Sequence, residues 1–317
     1  MKIGNFEIFD IMKIINLKDK LAEYDNGNYH VTLLRDGTKI RENDLDFFKA
    51  DFPESIDITF SKKCSQGCKY CYMNCTPDGK VADISNIDHF LNSIHPYTEL
   101  ALNGNDVTDE NLLIFLSKCK DRKLICNLTV NQNHFLQNLK LINSLIDCEF
   151  VHGVGVSLTK VTDDLIKALN RHNYVLHTIA GILSEQDLVK LSDHNIKLLI
   201  LGYKNIGRGK TYNSVYNTEI NNKINYLKNN INHYLNKFKV ISFDNLALEQ
   251  LNVKSWLKNW EEFYMGDEGQ FTFYIDLVQN KFYRSSLESE SNGFEFNPLT
   301  DSVTEMFHKI RDLNEGL

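Results

Sequence analysis

Apolar and polar residues alternate along six segments of the chain, residues 56–61, 99–103, 123–131, 150–159, 175–182 and 196–201. Between them, stretches 109–119, 134–145, 162–170 and 184–191 carry apolar residues three and four apart, the spacing of amphipathic helices. Strand and helix in regular alternation predict a parallel sheet joined by right-handed crossovers. The two faces of that sheet differ in character. Ile56, Ile58 and Phe60 alternate with Asp57, Thr59 and Ser61; Cys126, Leu128 and Val130 with Asn127, Thr129 and Asn131; Val154, Val156 and Leu158 with Gly153, Gly155 and Ser157. A parallel sheet covered by helices on both faces is apolar on both. One polar, glycine-bearing face instead predicts a wet or ligand-filled concavity, with helices on the other side only. We therefore expect an α/β fold, a partial (β/α)6 TIM-like barrel of six strands.

The flanking regions read differently. In residues 1–54, strands 29–34 and 38–41 around Asp36-Gly37 predict an N-terminal β-hairpin appendage. Residues 55–240 form the barrel core, ending in a basic loop, 203–210, and a long helix over 219–237. Residues 241–317 read as a C-terminal α+β extension: a hairpin, 271–278 with 281–286 around Gln279-Asn280, then a closing helix over 302–313.

Composition narrows the function. The 317 residues can bury a substantial core, and a net charge of -7 argues against a broad nucleic-acid footprint. No apolar run approaches the ~18 residues of a membrane span, and no signal-peptide pattern opens the chain. A cytoplasmic location follows as the expectation, with thiols kept reduced. The 7 cysteines all lie between Cys64 and Cys148, which suits a metal site better than a disulfide framework.

Three of them stand in Cys64-Ser65-Gln66-Gly67-Cys68-Lys69-Tyr70-Cys71, where the first strand gives way to a loop. Extended, eight residues span at most about 28 Å, so the loop must curl to bring its sulfurs together, and Gly67 permits a positive φ. A position after the first strand is the C-terminal mouth of a barrel, where such folds carry their chemistry. Two readings of the residues stand. With Cys75 as a fourth ligand, CxxxCxxCxxxC suits zinc or a four-thiolate cluster, hence a non-catalytic iron–sulfur or zinc-binding regulatory module. With three thiolates, one iron of a [4Fe-4S] cluster stays open to a reacting molecule.

The CxxxCxxC spacing, with an aromatic residue before the last cysteine, resembles that of the radical S-adenosylmethionine enzymes. The resemblance covers roughly residues 55–205 and extends to a subgroup of unassigned substrate. It implies that Cys64, Cys68 and Cys71 hold one [4Fe-4S] cluster whose open iron binds S-adenosylmethionine. It further implies cofactor contacts from Asn103, Gly104, Asn105 and Asp106, in place of the family's Gly-Gly-Glu-Pro-like stretch. Thr129 and Asn131 on the third strand, Ser157 on the fourth, and Tyr70, Leu201, Gly202 and Tyr203 around the adenine complete the implied set. Reductive cleavage then gives a 5′-deoxyadenosyl radical that takes hydrogen from a substrate, with reduced flavodoxin or ferredoxin as the electron donor.

The substrate expected is a peptide or small molecule, with a nucleotide or modified base as the alternative that the basic loop favours. Lys204 and Arg208 in that loop, and Asp276 and Ser285 on the C-terminal hairpin, are the candidate substrate contacts. Cys75 is the candidate hydrogen donor. No cysteine follows Cys148, so a second cluster is not expected in the extension.

Overall fold

The computed structural model describes residues 2–3, 6–7, 19–264, 266–288 and 290–315. Beyond a short pairing of Lys2–Ile3 with Phe6–Glu7, its strands are β1 (Lys20–Asn26), β2 (Tyr29–Leu34), β3 (Lys39–Glu42), β4 (Ser55–Thr59), β5 (Glu99–Asn103), β6 (Ile125–Asn131), β7 (Gly153–Ser157), β8 (Tyr174–Ile179), β9 (Lys197–Leu201), β10 (Val240–Phe243), β11 (Thr272–Asp276), β12 (Lys281–Tyr283) and β13 (Phe294–Glu295). The helices are α1 (Asp88–Asn92), α2 (Glu110–Asp121), α3 (Gln132–Gln137), α4 (Leu139–Asp147), α5 (Asp163–Leu169), α6 (Glu185–Leu191), α7 (Arg208–Tyr234), α8 (Asn245–Gln250) and α9 (Val303–Glu315).

One 10-stranded sheet dominates, in the order β10-β9-β8-β7-β6-β5-β4-β11-β12-β13. From β10 to β11 in that order, neighbouring strands are parallel. β12 and β13 then finish it antiparallel. The expected six strands are β4 to β9. Two extensions go beyond that expectation: β10 adds a further parallel strand on one edge, and β11 pairs in parallel with β4 on the other. The hairpin around Gln279-Asn280 forms as β11 and β12, with Asp276 opposite Lys281. It is thus a continuation of the main sheet.

The faces divide as the alternation predicts. Ile56, Ile58, Leu100, Leu102, Leu128, Val130, Val154, Val156, Leu176, Leu198 and Ile200 are all buried on the helix-covered side. Each contributes roughly 1.5–3 kcal/mol through burial. On the other side, Asp57, Ala101, Asn127 and Gly153 lie in register across four strands, and none of them is buried. A second row runs Asn131, Ser157, His177, Leu199 and Ser242, each half-buried. Polar side chains therefore face an accessible hollow.

Local signals set the helix starts. Asp109 accepts hydrogen bonds from Asn111 and Leu112 backbone N–H at the start of α2. Ser184 and Asp187 form a reciprocal capping box at α6. The structure corrects the expectation at α7, which begins at Arg208 and bends at Tyr216. Arg208 and Lys210 stand in its first turn, so the basic loop is short. The two glycines in Gly207-Arg208-Gly209 suggested loop, because glycine weakens helices. Gly207 instead caps the helix at φ 55°, where a Cβ would stand 2.2 Å from the Tyr72 carbonyl oxygen.

In the N-terminal sheet β2 pairs with both β1 and β3. It is tied to the main sheet by Glu54, which accepts two hydrogen bonds from Arg41 (2.7 and 2.9 Å) and one from Tyr29 (2.6 Å). Lys39 lies 3.1 Å away, and the Arg41 guanidinium sits 4.0 Å over the Phe271 ring. No helix among the described residues is long and apolar enough to cross a membrane.

Candidate active site

The cysteine loop leaves the end of β4 under tight backbone control. Asn103 Oδ1 accepts from the N–H groups of Phe60 (2.6 Å) and Ser61 (3.3 Å). Cys64 N–H bonds to the Thr76 carbonyl at 2.8 Å, closing the loop base. Gly67 has φ 62°, with open space around it, so conformation and not room requires glycine there. Arg208 clamps the far side: its backbone N–H donates to Cys71 O (3.1 Å), Nε to Cys68 O (3.0 Å) and Nη1 to Cys75 O (2.9 Å).

The thiols of Cys64, Cys68 and Cys71 are half-buried, and that of Cys75 is buried. A hydrogen bond from Cys75 holds the Cys71 thiol down to about 5, and the same bond, with burial, pushes Cys75 up. Burial and the neighbouring Cys71 and Cys64 raise Cys68. Among the described residues no three His, Cys, Asp or Glu side chains gather as ligands of one metal ion. A cluster places each thiolate on a different iron, so its sulfurs stand farther apart than ligands of a single ion. Three half-buried thiols on one clamped loop, with Asn131 Nδ2 3.9 Å from Cys68 Sγ, fit such a group.

The remaining expected cofactor residues divide into two sets. Asn103 and Asn105 brace the loop, and both donate to the Ser61 carbonyl, Asn105 at 2.8 Å. Asn105 Nδ2 also lies 3.6 Å from Cys75 Sγ, so Cys75 packs behind the loop. Gly104 N–H donates to Thr129 O at 2.8 Å. Asp106 accepts from Thr108 N–H (3.0 Å) and Oγ1 (2.6 Å) and lies 3.6 Å from His134 Nε2. Gly202 N–H donates to Asp244 Oδ1 and Tyr203 N–H to Gln250 Oε1, both at 2.8 Å, following Leu201 at the end of β9. Tyr203 is buried, and its hydroxyl bonds to Gly209 O at 2.7 Å. The Tyr70 ring packs edge-on against Tyr212. Asn131 caps α3 through Asn133 N–H. The side chains of Thr129 and Ser157 face the hollow, with no protein hydrogen bond among the described residues.

The substrate candidates separate as well. Arg208 serves the loop carbonyls. Asp276 accepts from Val278 and Gln279 N–H and pairs with Lys62 at 2.8 Å, and Ser285 Oγ accepts from Leu287 N–H at 3.2 Å. Lys204 alone of the four reaches inward. It donates to Ser286 Oγ at 2.7 Å and sits 4.1 Å over the Tyr72 ring. Asp57, Asp244 and Glu268 face it, and burial lowers its pKa against their pull.

These neighbours were not anticipated. Solvent reaches Asp57 within the hollow, yet protein surrounds it. The loss of bulk water pushes its carboxyl pKa up, with Lys204 opposing and Asp244 reinforcing. Glu268 rises to about 7, by burial first and then by the Asp57 charge. His177 falls to about 4 by burial. The signal available in the sequence was a charged or aromatic residue on the polar side of a strand, as with Asp57 and His177. A cavity of about 920 Å³, lined in part by Glu268, opens between segments 47–50, 267–270 and 284–288.

No protein-family profile and no curated protein matches the sequence. Solved structures do. The chain is similar to Streptococcus suis SuiB bound to S-adenosylmethionine, with TM-score 0.63 and 11% identity, over 93% of this chain and 89% of that one. It is also similar to SuiB bound to precursor peptide SuiA, with TM-score 0.59 and 12% identity, over 85% of this chain and 68% of that one. At such low identity the likeness is one of architecture: this chain and SuiB share a fold built on a large parallel sheet.

Proposed function

We propose that this chain is a radical S-adenosylmethionine enzyme acting on a peptide or small molecule. One observation carries the reading: three half-buried thiols on a clamped loop at the C-terminal ends of parallel strands overlook a sheet face whose polar side chains have few protein partners. Cys64, Cys68 and Cys71 would hold a [4Fe-4S] cluster, which would supply the electron for cleavage of S-adenosylmethionine to methionine and a hydrogen-abstracting 5′-deoxyadenosyl radical.

The protein's own part is positional. Arg208 fixes the loop carbonyls, and Asn103 and Asn105 fix the loop's base. Asp106 is the carboxylate nearest the family's methionine-binding position, and Thr129, Asn131 and Ser157 line the cofactor's path. Tyr70, Leu201, Gly202 and Tyr203 border the adenine, whose edge meets backbone groups. The engagement of Arg208 with the loop removes the main support for a nucleotide substrate. The likeness to a structure holding a precursor peptide favours a peptide, and the cavity beside Glu268 suits an extended chain entering toward Lys204. Residues 241–317 then form the substrate-side wall, and reduced flavodoxin or ferredoxin supplies electrons in the cytoplasm.

Anaerobic reconstitution tests the reading. It should give about one [4Fe-4S] cluster per chain, lost in Cys71→Ala and kept in Cys75→Ala. With dithionite and S-adenosylmethionine the reconstituted protein should release 5′-deoxyadenosine. Bound zinc with no such product would sink the proposal.

A further inference from the structure

The row Asn131, Ser157, His177 crosses three adjacent strands at one height. Neighbouring strands lie about 4.8 Å apart, so His177 stands roughly 10 Å across the sheet from Asn131. Asn131 in turn reaches to 3.9 Å from Cys68 Sγ. The row of Asp57 passes instead through Asn127, which precedes Asn131 on β6, and so lies toward the strands' N-terminal ends. His177 thus stands nearer the C-terminal strand ends than Asp57, with the row of Ile179 and Leu201 beyond it.

Its ring has a prepared seat. A Cβ on Gly155 would stand 2.1 to 2.7 Å from three atoms of the imidazole, so the ring lies directly on the Gly155 backbone. Any other residue at 155 would displace it. Half-buried, the imidazole makes no hydrogen bond among the described residues, which leaves its nitrogens open to a ligand in the hollow. Burial holds its pKa near 4, so the ring is neutral at neutral pH and offers one N–H donor and one lone pair.

We infer that His177 is a cofactor-binding residue whose neutral imidazole hydrogen-bonds a ribose hydroxyl of the adenosyl group of S-adenosylmethionine. This rests on the function proposed above and extends it to a residue outside the expected set. A hydroxyl is both donor and acceptor, and it matches a neutral ring better than the sulfonium or ammonium does. Those cationic groups find their partners at the thiolate end of the row, beside Asp106. Ser157, next to His177 in register and also inward-facing, gives the ribose a second partner.

Anaerobic calorimetry on the reconstituted protein decides the matter, using S-adenosylmethionine and its 2′-deoxy and 3′-deoxy analogues. His177→Ala should bind S-adenosylmethionine about tenfold more weakly, the scale of one lost hydrogen bond, and His177→Gln should recover most of that loss. The iron content of both variants should match the parent. One deoxy analogue should bind the parent about tenfold more weakly, and His177→Ala should lose nothing more on it, because the same contact is already gone. Unchanged affinity in His177→Ala overturns the inference, as does a loss that adds in full on both analogues. A parent protein that builds its cluster but binds no S-adenosylmethionine overturns the proposed function itself.

Discussion

Glu54, just before β4, and Asp57, within it, stand three residues apart, and the protein treats them in opposite ways. Glu54 has no exposed surface, yet Arg41, Lys39 and Tyr29 all engage it. Burial alone would push its carboxyl up, but the Arg41 hydrogen bonds and the Lys39 and Arg41 charges hold it below its ordinary value. Asp57 faces the hollow without a hydrogen bond or ion pair among the described residues, and its pKa rises. The first carboxylate is completed by the protein and holds the N-terminal sheet to the main sheet. The second lies in the hollow with only the charge of Lys204 opposing the rise. Full satisfaction marks a structural charge, and incomplete satisfaction in an accessible hollow marks a functional one.

The largest effect should come from Glu54→Ala. It strands Arg41 and leaves Lys39 only Glu99 at 3.8 Å, and breaking such a buried pair costs about 3–5 kcal/mol. The urea midpoint should fall with little change in slope. An unmoved midpoint would show that this network does not hold the two regions together.

Asp57→Asn should shift the same midpoint by no more than about 1 kcal/mol, since no protein partner loses its bond. A loss as large as that of Glu54→Ala would make Asp57 structural too and erase the contrast.

The smallest effect is a pH slope at Glu268. This carboxyl keeps its proton up to about 7 in the folded chain, against an ordinary value of 4.5. Between those values the folded chain binds more protons than the unfolded one, so stability should fall as pH rises from 4.5 to 7 and level off above. Solvent access along the groove keeps the slope shallow. Glu268→Gln should flatten it, and a profile identical to that of the parent would remove Glu268 from the cluster.

The fold was legible where contacts are local. β4 to β9 declared themselves because one face is uniformly apolar under the helices and the other is polar. β10 escaped notice because Val240–Phe243 is only 4 residues long and its first side chain is exposed. The placement of β11 was not readable at all, since Phe273 pairs with Ile56 far back in the chain. In the site, cysteine spacing singled out the loop, because three thiols that close have few other uses. Arg208 was read as a substrate contact because a free guanidinium suits anions. Its bonds to three loop carbonyls follow from the way α7 starts, which Gly207 and Gly209 obscured. Asp57 and His177 were visible only as polar residues on a strand, a pattern shared by many surface positions.

The pairing of β11 with β4 also has a kinetic side. Thr59 and Tyr274 share a 2.7 Å hydrogen bond across a separation of 215 residues. Closing so long a loop is slow, because its entropy is lost before the contact rewards it. During synthesis β4 can pair with β5 early, but its other edge stays bare until β11 has emerged. The strand that launches the cysteine loop is therefore among the last to be enclosed. A chain cut before β11 would keep every cysteine and still present an unpaired edge to aggregation.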